Sequence, residues 1–166
     1  MPPGSDPIPV RILDNVAAAL ALPDGGNDYY HAVSFAGIGR DITSPALVGY
    51  PAVFIGEPGE VGQYSEVSQE GRVMWHGSWF WDIPVFGVIR DVGGGDAAYR
   101  SLLKLAADIF RAVMVDFTRG GFAKLTQVMG WTLLGPQAST DGRPWVGVLV
   151  RVVFRTRDNE MVTVPA

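Results

Sequence analysis

The chain has 166 residues, 48% of them apolar and 18% charged, with a net charge of −4. That composition suits one globular domain with a sizeable core and excludes a disordered chain, while the acidic balance excludes general adhesion to nucleic acid. With no cysteine, disulfides, cysteine nucleophiles and thiolate metal sites are excluded, and a reducing compartment fits.

Residues 1–8 hold three prolines and are expected to be mobile. They show no basic start followed by an apolar run, so no signal peptide is expected. Pro9 to Leu22 predicts a short helix with a stripe of Val10, Leu13, Val16, Ala17, Leu20 and Ala21. Pro9 suits its first turn, and Pro23 with Gly25 and Gly26 ends it. Tyr29 to Phe35 reads as a short strand, Ile38 to Tyr50 as loop, and Pro51 to Gly56 as a strand.

Glu57 to Gly71 carries Glu57, Glu60, Glu66 and Glu70 and no basic residue. Its few apolar residues bury little, so it is expected to be an exposed acidic loop or a projecting hairpin. Arg72 to Arg90 follows as a long or broken strand. Val73, Trp75, Trp79, Trp81, Ile83, Val85 and Ile89 share one parity, the signature of a strand face. Pro84 cannot donate to a central ladder, so it marks an edge, a bulge or a break.

The clearest element is a long helix, predicted over Asp96 to Arg119. Ala98, Leu102, Leu105, Ile109, Ala112 and Val113 recur at helical spacing, with Leu103, Ala106, Phe110 and Phe117 flanking them. Arg100, Lys104, Asp108 and Arg111 are read as a solvated, ion-paired side. Asp96 can cap the start, and Gly120 and Gly121 can stop the end. The helix is too short and too charged to span a membrane.

Val128 to Leu134 predicts a strand, Pro136 to Pro144 a turn with Asp141-Gly142 at its tip, and Trp145 to Thr156 the strongest strand. Val146, Val148, Val150, Val152 and Phe154 line one face of that strand. Arg151, Arg155 and Arg157 form a basic stripe on the opposite parity. Residues 158–166 read as a loose tail.

Strands grouped around helices favour a single α+β domain over residues 1–166, a mostly antiparallel sheet with one long and one short helix on one face. The second sheet face also carries apolar side chains. In so small a domain that implies burial by something else, most simply neighbouring subunits.

The residues offer little for catalysis. His31 and His76 lie in no nucleophile or metal motif and are read as structural or surface residues. Phosphate-loop, nucleophile-elbow and zinc-protease motifs are absent from the sequence. Gly37-Ile38-Gly39-Arg40-Asp41 lacks the third glycine of a dinucleotide loop, and Asp96 would repel an anion at the Gly93-Gly94-Gly95 turn. Asp108 and Asp116 are better read as ion-paired than as an acid–base or metal pair. No enzyme activity, metal or cofactor is expected. The candidate interface comprises Trp75, Trp79 and Trp81, the carboxylates Glu57, Glu60, Glu66 and Glu70, and the stripe Arg151, Arg155 and Arg157.

The chain resembles the tail terminator, or tail completion, proteins of long-tailed bacteriophages. The resemblance rests on RILDNVAAALAL leading to PAVFIGE, on YRSLLKLAADIFRAVMVDF after a tryptophan-rich strand, and on the ending WTLLGPQASTDGRPWVGVLVRVVFRT. It covers Pro9 to Thr156 in order and spacing. It implies a structural virion protein of tail or neck, assembled in the host cytoplasm and associated with no membrane. Its hexameric ring would cap the tail tube and meet the head-side connector or stopper protein. Genomic DNA would pass the lumen without specific binding. Two other readings stay open: another neck or tail component, such as a head-closure or tube protein, and a small α+β ligand-binding domain or enzyme.

Overall fold

The computed structural model describes residues 6–26, 28–38, 49–59, 61–64, 78–90, 95–134 and 143–155. The order is α1 (Ile8–Leu20), β1 (Phe35–Ile38), β2 (Ala52–Ile55), β3 (Val61–Tyr64), β4 (Ser78–Val88), α2 (Gly95–Met114), β5 (Leu125–Leu134) and β6 (Trp145–Arg155). The fold is α+β, as the pattern predicts. The sheet runs β1-β2-β4-β6-β5, with β3 also paired to β4. Among the described residues only the β1–β2 pair is parallel.

In α1, Pro7 holds the N-cap position with extended backbone and Pro9 lies in the first turn, where a missing N–H costs nothing. The buried residues are Ile8, Ile12, Val16, Ala19 and Leu20. The stripe is therefore rotated from the expected one, and Val10 is 42% exposed. Both stripes share Val16 and Leu20. The isoleucines at positions 8 and 12 decide the rotation, because they bury more apolar area than alanine does.

The long helix buries Ala98, Leu102, Leu105, Ala106, Ile109, Ala112 and Val113 as predicted. It ends at Met114, earlier than expected. Asp116 accepts hydrogen bonds from the Thr118 N–H at 3.0 Å and from the Gly120 N–H. A side chain that captures nearby amides competes with the helical ladder. Arg119, Gly120 and Gly121 then all have positive φ, which carries the chain away from the helix axis. The flanking Leu103, Phe110 and Phe117 are exposed rather than part of the buried face.

Tyr29 to Phe35 is not the predicted strand. The chain bends there and β1 begins at Phe35. The Tyr30 and His31 amides are captured by a carboxylate of α2, so they cannot join a ladder. Within the acidic segment Val61–Tyr64 forms β3, paired antiparallel with Trp81–Ser78; residues 60 and 65–71 of it lie outside the described residues. Residues 39–48, 72–77 and 135–142, with the expectations placed on them, lie outside the described residues, as do residues 1–5 and 156–166.

β4 and β6 are the two central strands, paired in register from Ser78↔Arg155 to Val88↔Trp145. Pro84 therefore lies in an interior strand. The Gly56 N–H reaches the Pro84 carbonyl at 2.9 Å, and the Gly59 N–H reaches that of Asp82 at 3.1 Å. The missing Pro84 N–H points to that same side, where β2 has ended and β3 has not begun. The break is in the neighbouring strand, and no ladder bond to β6 is lost.

Both helices cover one sheet face. Val53, Ile55, Ile83 and Val85, with the β6 row Val146, Val148, Val150, Val152 and Phe154, form the core with them. Gly87 lies directly under α2. A Cβ there would lie 2.8 Å from Leu105 Cδ2 and 3.1 Å from both Ile109 Cδ1 and Val146 Cγ1. Gly87→Val is therefore expected to cost about 1–3 kcal/mol by overpacking, read as a lower denaturant midpoint. An unchanged midpoint would show that α2 rides higher on the sheet. Among the described residues no helix is long and apolar enough to cross a membrane.

Candidate functional surfaces

The sheet face away from the helices mixes apolar and charged residues. At its β2 end Ala52, Phe54 and Val88 are at most 2% exposed. Phe54 meets Phe86 at 5.9 Å between ring centres, and Phe86 meets Trp145 edge-on at 5.3 Å. Gly56 leaves room for the Phe86 ring, which a Cβ there would overlap. Beyond this row the face opens into a shallow groove of about 490 Å³, with Pro84, Phe86, Trp145 and Leu149 in its floor and Met129 and Trp131 at its β5 side. Leu149 is exposed there.

Next along the same face, the cross-strand partners Asp82 and Arg151 form a bidentate pair. Arg151 Nε donates to Oδ1 and its terminal nitrogen to Oδ2, both at 2.7 Å. The guanidinium also lies 4.7 Å from the Phe80 ring centre. Hydrogen bonding to Asp82 raises the Arg151 pKa further, so its charge is fixed at every physiological pH.

A second, larger groove of about 600 Å³ lies on the helix side, between α2 and β5. Leu103, Ala107, Phe110, Met114, Val115 and Trp131 line it, with Arg111 at its border. Trp131 pairs in register with Val148 and so points to the helix side of the sheet. The ring lies beside α2 in this groove and is 57% exposed.

Two polar clusters fasten loops to this frame. The first centres on Asp108, which is fully buried. Its carboxylate accepts the Tyr30 N–H at 2.9 Å, the His31 N–H at 3.0 Å and His31 Nδ1 at 2.9 Å. His31 Nε2 faces the Ser101 hydroxyl at 3.1 Å. The order Asp–His–Ser is that of a hydrolase triad. Ser101, however, lies within α2, where neighbouring amides are committed to the helix and cannot form an oxyanion hole. It lines neither groove. The cluster is a fastening of the segment before β1 onto α2.

The second cluster centres on Asp116. Besides the two amides it accepts the Thr118 hydroxyl at 2.8 Å. Bonding to Thr118 holds its pKa below the ordinary carboxyl value of 3.8. A folded-state pKa lowered in this way adds stability above the ordinary value, and that stability is lost as pH falls through the lowered one. The melting temperature of Asp116→Asn should therefore lie below that of the parent at neutral pH and converge with it in acid below about pH 4. A constant gap across that range would remove Asp116 from the account. Arg119 is fully buried nearby and gives its guanidinium to the Val113 carbonyl. Desolvation lowers its pKa, and Asp116 partly opposes this.

The expected interface residues separate. Trp79 and Trp81 face the helices: Trp79 packs half-buried against the core, and Trp81 is 9% exposed with its Nε1–H bonded to the Gly59 carbonyl at 2.7 Å. They belong to the core side, not to an exposed tryptophan surface. Glu57 is exposed at the end of β2 and Arg155 at the end of β6. Arg151 is engaged within its own chain. Trp75, Glu60, Glu66, Glu70, Arg157 and also His76 lie outside the described residues.

Asp108 is not on a solvated face, and Asp116 is beyond the helix end, so the two form no carboxylate pair. Asp108 falls three after Leu105 and four before Ala112, inside the apolar stripe, and that position is the signal that could have revealed it. Gly37 and Ile38 are part of β1 rather than of a glycine loop. Among the described residues no group of three His, Asp or Glu is placed to hold a metal. The chain matches no protein-family model, and no curated protein is similar to it in sequence.

Proposed function

We propose that this chain is a structural ring protein that ends a phage tail tube, as its sequence resemblance implies. The observation that carries the reading is the one-sided sheet. Both helices lie on one face, while the α2–β5 groove and the open face leave Phe110, Met129, Trp131 and Leu149 39–57% exposed. Isolated exposed apolar residues are ordinary, but adjoining grooves mark interaction surfaces.

A tube stops growing when a cap matches its end on one side and offers no copy of that end on the other. Shape and interface perform this, without a reacting group. In a closed ring every copy has both of its contact surfaces covered. The tube protein would take one ring surface and the head-side connector the other, in a virion assembled in the host cytoplasm, with DNA passing the lumen unread. A net charge of −4 suits a lumen that does not grip DNA.

The test is mass in solution and on purified tail tubes, followed by electron microscopy of particles made without the protein. The expected outcome is a ring, a hexamer by the resemblance, and overlong or headless tails in its absence. A strict monomer that never binds tubes, together with normal tails in its absence, would sink the proposal. Absent tubes would instead point to a tube protein. The size of the α2–β5 groove favours a second reading, a domain that binds a small apolar ligand. A monomer that retains such a molecule in native mass spectra would support it.

A further inference from the structure

We infer that two copies of this chain pair through β5, edge to edge and antiparallel about a two-fold axis, with their two α2–β5 grooves merged above the joint. Two-fold contacts do not close a six-fold ring, so this one goes beyond the ring reading: it joins free chains, or one ring to another.

Among the described residues β5 ends the sheet, paired only with β6. Its ten residues, LTQVMGWTLL, include no charge and no proline. A long edge strand is ordinarily guarded by lysine or proline, because its unpaired backbone recruits other strands. Here the guard is one bulge between Val128 and Gly130. The length of this edge selects the occupant. The other open edges of the described sheet, β1 and β3, have four residues each. Either would engage less than half of β5, whereas a second β5 can pair along the whole strand. Self-pairing sets like against like, which penalises a charged edge, and β5 carries nothing to repel its copy.

The axis stands perpendicular to the sheet, so both helices lie on the same side and each groove opens onto the other. The groove-facing row of α2, Leu103, Ala107, Phe110 and Met114, is uncharged. Phe110 is 45% and Trp131 57% exposed in the single chain, and the joint buries both. Lys104 leans instead over the Tyr30 ring, at 5.6 Å, on the side of α2 that carries Asp108. Arg111, at the groove border, stands in solvent, where salt screens it from its counterpart. Ten residues make a joint roughly 33 Å long, and sheet plus helix make it about 20 Å high. That is on the order of 650 Å² per copy, close to the roughly 800 Å² of a standard stable interface.

Sedimentation velocity and native mass spectrometry test this. The parent should run as a dimer, or as rings in pairs. Trp131→Lys and, separately, Thr132→Lys restore a lysine guard on opposite faces of the strand, at positions exposed in the single chain. Each should keep the parent's far-ultraviolet circular dichroism spectrum and raise the dissociation constant at least ~10-fold. Single cysteines fix the symmetry, since the chain has none of its own. The axis of an antiparallel pair passes through two directly opposed residues, so one residue of β5 faces its own copy. Cysteines placed in turn from Gln127 to Leu133 should form a disulfide-linked dimer at that position and fail two residues away, where the Cβ atoms are too far apart. A parent that stays monomeric at every concentration overturns the proposal, as do lysine variants that pair like the parent. Assembly without a cross-link at any of these cysteines overturns the two-fold arrangement.

Discussion

An Ile109→Asp chain should be recovered unfolded, whereas Ile109→Val should fold. Ile109 is 1% exposed and points from the middle of α2 at the sheet. Its neighbours include Gly87, where a single added carbon would already meet its Cδ1 at 3.1 Å. The aspartate would lose the isoleucine's transfer energy and place an unpaired charge among aliphatic side chains. That costs at least several kcal/mol, against a total stability of about 5–15 kcal/mol for a domain of this kind. Ile109→Val removes one methylene and should cost about 0.5–1.5 kcal/mol. Circular dichroism and urea melts decide the matter. A soluble Ile109→Asp protein with the parent's spectrum would mean that α2 presents another face to the sheet.

The second large effect concerns the other kind of buried residue on the same helix. Asp108→Ala should lower the melting temperature by roughly 5–15 °C, from a loss of about 2–4 kcal/mol at roughly 2–4 °C per kcal/mol for a chain of this length. Three donors converge on the carboxylate within 3.0 Å, and two are backbone amides that no mutation elsewhere removes. Alanine leaves those amides without an acceptor in a partly buried place. Asp108→Asn retains one acceptor oxygen and should lose less. His31→Ala should also lose less, because both backbone donors remain. Differential scanning calorimetry of the three variants gives the order directly. If Asp108→Ala melts within a degree or two of the parent, the segment before β1 is not fastened by this carboxylate. If His31→Ala is the worst of the three, the imidazole rather than the backbone carries the fastening.

The two residues show where a pattern is legible and where it is not. Ile109 was readable because helical spacing and hydrophobicity agree at that position. Asp108 was assigned to the solvent side from its charge alone, although its position puts it within the stripe. Hydropathy has no way to represent a carboxylate whose burial is compensated by amides 77 and 78 residues away in sequence. The β4 tryptophans show the converse. Their shared parity placed them on one face, but parity does not say which face a helix will cover. Two rows of apolar residues alternate along β4 and β6, and only the docking of α1 and α2 decides between them. Helix docking makes the odd-numbered row of β4 the core and leaves Phe80, Pro84 and Phe86 on the other side.

By itself, then, the sequence determined what is local. It set the α+β class and the two helices through the 3.6-residue period, and the central strand β6 through its unbroken valine row. It also placed the left-handed glycines after α2. Each of these is a property of neighbours along the chain, and each is written in their spacing. The tertiary structure alone decided what depends on distant partners. It rotated α1 onto its isoleucines and paired Arg151 with Asp82 instead of leaving it in a basic stripe. It gave Pro84 an interior strand beside a gap between two others, and it left Trp131 exposed in the groove beside α2. In each case the deciding free energy comes from burying or pairing groups that lie far apart in the chain, and no local period encodes which of them will meet.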